Sequence, residues 1–135
     1  MKGDQIQYAD GFKYQLKSDY GLQIDIKGYD VVHEFYDLTP DGWLVIRSGY
    51  CWDGASDAID TANFMRGSLV HDVLYQMLRA GELPPECFHA ANDELRKICL
   101  EDGMSKIRAW WVWRAVESFG HAAAHRRNEE IKFAP

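Results

Sequence analysis

Leu38-Thr39-Pro40-Asp41-Gly42-Trp43-Leu44-Val45-Ile46 decides the fold of this 135-residue chain. Pro40 presets φ for the second position of a turn, and Gly42 accepts the positive φ that closes it. The run after the turn is aromatic and β-branched and too short for a helix, so it reads as a strand. Asp30 to Tyr36 lies on the other side of the turn and reads as its partner. Further upstream, Phe12-Lys13-Tyr14-Gln15-Leu16 and Leu22-Gln23-Ile24-Asp25-Ile26 alternate apolar with polar, separated by the turn-rich Ser18-Asp19-Tyr20-Gly21. Downstream the pattern changes. Ser48 to Ala62 is a loop rich in Gly, Ser and Asp, and the period then lengthens to that of helices over Asn63–Arg79, Pro85–Leu100 and Ser105–Arg127. Ser105 is the natural N-cap of the last one. The expectation is an α+β fold: a small antiparallel β-sheet of hairpins followed by three α-helices. One domain spans 1–135, with a β region at 1–50, a motif loop at 51–62 and a helical region at 63–127.

Composition narrows the function classes. Hydrophobic residues are 47% and charged residues 27% of the chain, a globular balance. No apolar run approaches the ~20 residues that cross a bilayer, and the start, Met1-Lys2-Gly3-Asp4-Gln5, has no apolar core of a signal peptide. The net charge of −6 belongs to residues 1–60, with 5 basic and 11 acidic side chains, while 61–135 balance at 10 of each. An acidic chain is a poor general binder of nucleic acid, so none is expected as a partner. Three cysteines with no CxxC make neither a disulfide framework nor a zinc site.

Three stretches carry candidate chemistry: Tyr50-Cys51-Trp52-Asp53-Gly54-Ala55-Ser56 before the first helix, His71-Asp72-Val73-Leu74-Tyr75 inside it, and Asn92-Asp93 in the second. His71 and Tyr75 are four apart and share the inward face, with Leu74 and Leu78 flanking it. Asp72 points about 100° away. A buried imidazole needs a partner, and a carboxylate beside it needs a cation or donors. Asp93 is expected to supply the partner, while Asp53 and Asp72 share a hard cation. Gly67, one turn before His71, invites a close approach.

The Gly-aromatic-x-x-Asp-Gly-Ala-Ser loop at 49–56, the His-Asp-x-Leu-Tyr helix at 71–75 and Arg114-Ala115-Val116-Glu117-Ser118-Phe119-Gly120 together resemble an uncharacterised family of small phage and prophage proteins. That resemblance implies a phage setting, in the host cytoplasm or on the virion, and no particular chemistry. A more distant resemblance does imply one. Asp53-Gly54-Ala55-Ser56 and His71-Asp72-Val73-Leu74-Tyr75 look like the calcium loop and catalytic helix of secreted phospholipases A2, the bacterial type above all. By that resemblance His71 is the base that activates water, Asp53 and Asp72 are Ca²⁺ ligands, Asp93 on the next antiparallel helix orients His71, and Tyr75 donates to Asp93. The substrate would be a lipid or another ester. Ala55 replaces a cysteine of the bacterial loop, Leu74 a cysteine of many animal enzymes, and the fifty-residue β region is outside their pattern.

A second expectation stands beside the hydrolase. The His71–Asp72–Tyr75 cluster is then architecture that pins loop to helix, Asp53-Gly54 is a turn, and His89 and Asp93, four apart, pair with each other. The chain would be a non-enzymatic phage accessory protein that meets a phage or host protein. Trp110, Trp111 and Trp113 in the third helix supply either core and an aromatic ridge or a surface for lipid or protein. A metal-dependent phosphohydrolase of the His…His-Asp…Asp type lacks an upstream histidine on a helix, since His33 falls in a strand-like stretch.

Overall fold

The computed structural model describes residues 8–9, 14–54 and 60–125. Its order is strands first and helices after: β1 (Tyr8–Ala9), β2 (Tyr14–Leu16), β3 (Tyr20–Gln23), β4 (Val31–Val32), β5 (Tyr36–Leu38), β6 (Trp43–Ile46), β7 (Cys51–Trp52), then α1 (Ala62–Arg79), α2 (Cys87–Glu101) and α3 (Lys106–His125). This is the expected α+β class. The strands form two antiparallel sheets, in the orders β1-β2-β7 and β3-β6-β5-β4, where a single sheet was expected. The anticipated turn at Ser18–Gly21 therefore carries the chain from one sheet to the other, and its last two residues already belong to β3.

The turn at 38–42 builds the β5–β6 hairpin. Gly42 N–H donates to the Thr39 carbonyl at 2.9 Å and Thr39 N–H to the Trp43 carbonyl at 3.0 Å. Gly42 has φ +90°, and a Cβ there would run into the Ile24 carbonyl, so glycine is required twice over. Register then sorts the faces. Tyr36 lies opposite Ile46, Leu38 opposite Leu44, and Tyr20 and Leu22 opposite Ile46 and Leu44 on the other flank. Because side chains alternate along a strand, these residues form one apolar face, and all but the half-buried Leu22 are buried. That face packs on Leu69, Val70, Val73, Leu74 and Met77 of α1 and on Phe88 and Ala91 of α2 in one core. A smaller core, Phe64, Leu95, Cys99, Met104 and Ala109, joins α1, α2 and α3.

The helix ends are set by local chemistry. At the end of α1, Glu82 N–H donates to the Met77 carbonyl and Gly81 N–H to the Leu78 carbonyl, with Gly81 at φ +75°. At the end of α2, Met104 and Gly103 repeat both bonds to Cys99 and Leu100, with Gly103 at φ +96°. Both are glycine-terminated Schellman ends. Ser105 caps α3 as expected, its Oγ accepting the Arg108 N–H at 3.1 Å. Gly67 does admit a close approach: a Cβ there would meet Cys99 Sγ and Leu95 Cδ1 at 3.0 Å, so α2 packs tightly across it. The buried Arg66 fastens the same corner, donating to Asp102, Glu101 and the Tyr20 hydroxyl at 2.8–3.1 Å.

Candidate functional site

Two adjacent stripes of α1 carry the quoted motif residues and their partners. Residues 68, 72 and 76 form one. Trp52 Nε1 donates to Ser68 Oγ at 3.0 Å, the Asp53 backbone N–H donates to the Asp72 carboxylate, and the Tyr50 hydroxyl donates to Gln76 Oε1 at 3.0 Å. The stripe thus receives Tyr50, Trp52 and Asp53. Strand β7 exists because this segment is held on one side by α1 and on the other by β2, with Tyr14 opposite Trp52. Gly54, at φ +70°, follows at once; a Cβ there would meet Asp60 Oδ2 at 2.6 Å. That close approach lets Asp60 fold back over the loop, where the Tyr14 hydroxyl donates to its Oδ2 at 2.9 Å.

Asp53, Asp60 and Asp72 therefore gather at the start of the motif loop. Burial pushes the partly buried Asp72 carboxyl up to about 7. The Asp53 and Asp60 charges add to that, while Arg79 and the Asp53 N–H oppose it. Asp53 itself is exposed. Among the described residues, no group of three or more His, Cys, Asp or Glu side chains is arranged to hold a metal ion. Asp53 and Asp72 are linked by the Asp53 N–H bond and by the repulsion of their charges. Ala55 and Ser56, the rest of the quoted loop motif, lie outside the described residues.

Residues 67, 71 and 75 form the other stripe, which faces α2 and α3. His71 Nε2 lies 2.8 Å from Asn92 Oδ1, and the Tyr75 hydroxyl donates to the same oxygen at 2.7 Å. Asn92 Nδ2 in turn donates to Glu117 Oε2 on α3 at 2.8 Å. The exposed His89 bonds the other Glu117 oxygen at 2.7 Å. The amide thus has its NH₂ on the carboxylate and its oxygen on the imidazole, so Nε2 of His71 carries the proton. Nδ1 keeps a free lone pair, with no hydrogen-bond partner among the described residues. Burial pulls the His71 pKa down to about 4, against the bond to Asn92, which raises it. The imidazole is neutral at pH 7.

Asp93 does not orient His71. It is exposed, and its Oδ1 accepts the Trp113 indole N–H at 2.9 Å. The residue one before it does that work, because the face of α2 turned to α1 is the 88-91-92-95 stripe, and Asp93 lies about 100° off it. Tyr75 likewise donates to Asn92 and not to Asp93. The expected His89–Asp93 pair is replaced by His89–Glu117 and Trp113–Asp93. His33 lies between β4 and β5, stacked on Tyr36 with ring centroids 4.1 Å apart, so it supplies no helical ligand. Glu117, Ser68 and Gln76 were not foreseen. Asn92 was signalled by its place in an apolar i, i+3, i+4 pattern, whereas Glu117 has no such signal. Cys51 is exposed and Cys87 and Cys99 are buried, all free thiols. No protein-family model, no curated protein and no solved structure matches this chain.

Proposed function

We propose that the chain is a phage-type hydrolase of lipid or other esters, with a phospholipase-A2-like site centred on His71. One observation carries the reading: the imidazole and the Tyr75 hydroxyl converge on a single oxygen of the next antiparallel helix, leaving His71 Nδ1 as the uncommitted base. In the reaction Nδ1 takes a proton from water as the water oxygen attacks the ester carbonyl carbon. The carbon–oxygen bond to the alcohol then breaks, and the same proton passes from Nδ1 to the leaving alkoxide. Asn92 is a positioning residue that holds the tautomer. Asp53 and Asp72 would hold the cation. A pair of carboxylates suits a hard ion such as Ca²⁺, which when bound polarises a carbonyl as a Lewis acid.

The test is hydrolysis of a fluorogenic phospholipid and of a p-nitrophenyl ester, with Ca²⁺, Mg²⁺ or chelator. Activity that His71→Ala abolishes, with the far-ultraviolet circular dichroism unchanged, supports the reading. A Ca²⁺-specific rise in Tm that Asp53→Asn removes supports the metal pair.

A second reading is favoured by one specific fact: His71 is only 7% exposed and its partner is a neutral amide. In it the His71–Asn92–Glu117 chain is a pin through three helices, and the protein is a non-enzymatic accessory that meets a phage or host protein. Under this reading wild type cleaves neither ester, Ca²⁺ leaves Tm unchanged, and His71→Ala lowers Tm by several degrees.

A further inference from the structure

Helix α3 carries apolar residues on two sides. One side, Ala109, Val112 and Val116, completes the smaller core. The other leaves Ile107 74%, Trp111 62% and Trp110 38% exposed, with Leu100 at the end of α2 a further 38%. An apolar ridge left facing solvent marks an interaction surface. Along this stretch of the helix the charges are of one sign. Residues 103–116 contain three basic side chains and no acidic one, in a chain whose net charge is −6. The nearest acids each have a donor: Glu101 and Asp102 accept from Arg66, Glu117 from Asn92, and the exposed Asp93 from the Trp113 indole. Arg114 lies over the Trp110 ring, 5.7 Å from its centroid, so cation and aromatic form one surface.

We propose that this ridge, Ile107, Trp110 and Trp111 with Lys106 and Arg114, docks the protein on an anionic lipid surface. Indole rings sit well where one end is wet and the other apolar. Lysine and arginine beside them meet anionic headgroups. A second copy of this chain fits less well, because a self-complementary contact through the ridge brings its cations against their own counterparts. The proposal deepens the hydrolase reading by placing its ester in a membrane, and that link rests on the reading. Binding itself is measured without turnover, so the two fail separately.

The experiment is co-sedimentation and tryptophan fluorescence with large unilamellar vesicles, in chelator. Vesicles of phosphatidylcholine alone are compared with vesicles containing a third phosphatidylglycerol. The expected result is a blue shift and binding to the anionic vesicles, weakened at least tenfold by Trp111→Ser, again by Arg114→Glu, and by added salt. Both side chains are exposed, so the fold survives, and an unchanged Tm confirms it. His71→Ala binds as wild type does. No binding to anionic vesicles overturns the proposal, as does binding that Trp111→Ser leaves unchanged. A concentration-dependent dimer in sedimentation velocity that Trp111→Ser dissolves also overturns it, in favour of a second copy.

Discussion

An amide stands where a carboxylate would make His71 a stronger base. The neutral Asn92 fixes the tautomer but does nothing for the charge of an imidazolium, and burial leaves the pKa at about 4. A base is most effective with a pKa near the working pH. Asn92→Asp therefore raises the His71 pKa, read from the imidazole resonances in an NMR titration. The new carboxylate faces Glu117, so the rise is cleanest with Glu117→Gln in the same chain. If His71 is the base, ester hydrolysis at pH 7 increases in that double variant; if His71 is a structural pin, the pKa moves and hydrolysis stays absent. Tyr75→Phe removes one of the two donors to Asn92 Oδ1 and costs about 1 kcal/mol of stability, measured by urea unfolding. The sequence places His71 and Tyr75 on one inward face because a period of 3.6 is local. It misplaces their partner by one residue, because which stripe of α2 meets α1 is settled by Phe88, Ala91 and Leu95 packing, a non-local matter.

Glycines separate the element scale from the residue scale. A Cβ at Gly120 would overlap the Tyr75 hydroxyl, so α3 crosses α1 where it does because residue 120 has no side chain. Gly120→Ala must push the helices apart or bend Tyr75 away, at a cost of about 1–3 kcal/mol for overpacking. Tyr75→Phe in the same chain returns part of that cost, and a double-mutant cycle reads the coupling. Gly81→Ala is the contrast: nothing lies within 4 Å of its Cβ position, so only the φ of +75° resists, at about 1 kcal/mol with no coupling to Tyr75. Element positions show the same split in legibility. The β5–β6 hairpin and all three helices are readable, since turn residues, caps and periodicity are local. The division into two sheets is not, because β3 pairs with β6 and β2 with β7 across long stretches of chain. Strand β7 hides inside a stretch rich in Gly, Ser and Asp; its pairing with β2 and the hydrogen bonds of Tyr50, Trp52 and Asp53 to α1 account for it.

At the scale of the whole molecule, neighbouring residues of α1 pull stability in opposite directions with pH. His71 has a folded pKa near 4, below its ordinary 6.5. The unfolded chain therefore binds more protons between those values, and stability falls as pH drops from 6.5 toward 4. Asp72 has a folded pKa near 7, above its ordinary 3.8. Here the folded chain binds more protons, and stability falls as pH rises from 4 to 7. Each slope is at most about 1.4 kcal/mol per pH unit, and over pH 4.5–6 they oppose each other. Wild type is expected to show a flatter profile in that window than either variant. Asp72→Asn, which keeps an oxygen for the Asp53 N–H, removes one slope, so stability then climbs with pH. His71→Gln removes the other, so stability then declines with pH. Urea midpoints at half-unit steps from pH 4.5 to 7.5 measure both, and the difference from wild type isolates each residue from the remaining titrating groups. Parallel profiles for all three chains would mean that neither group is held away from its ordinary pKa. A Ca²⁺-dependent shift of the Asp72 arm alone, toward greater stability at pH 7, is the signature expected if that carboxylate exchanges its proton for a cation.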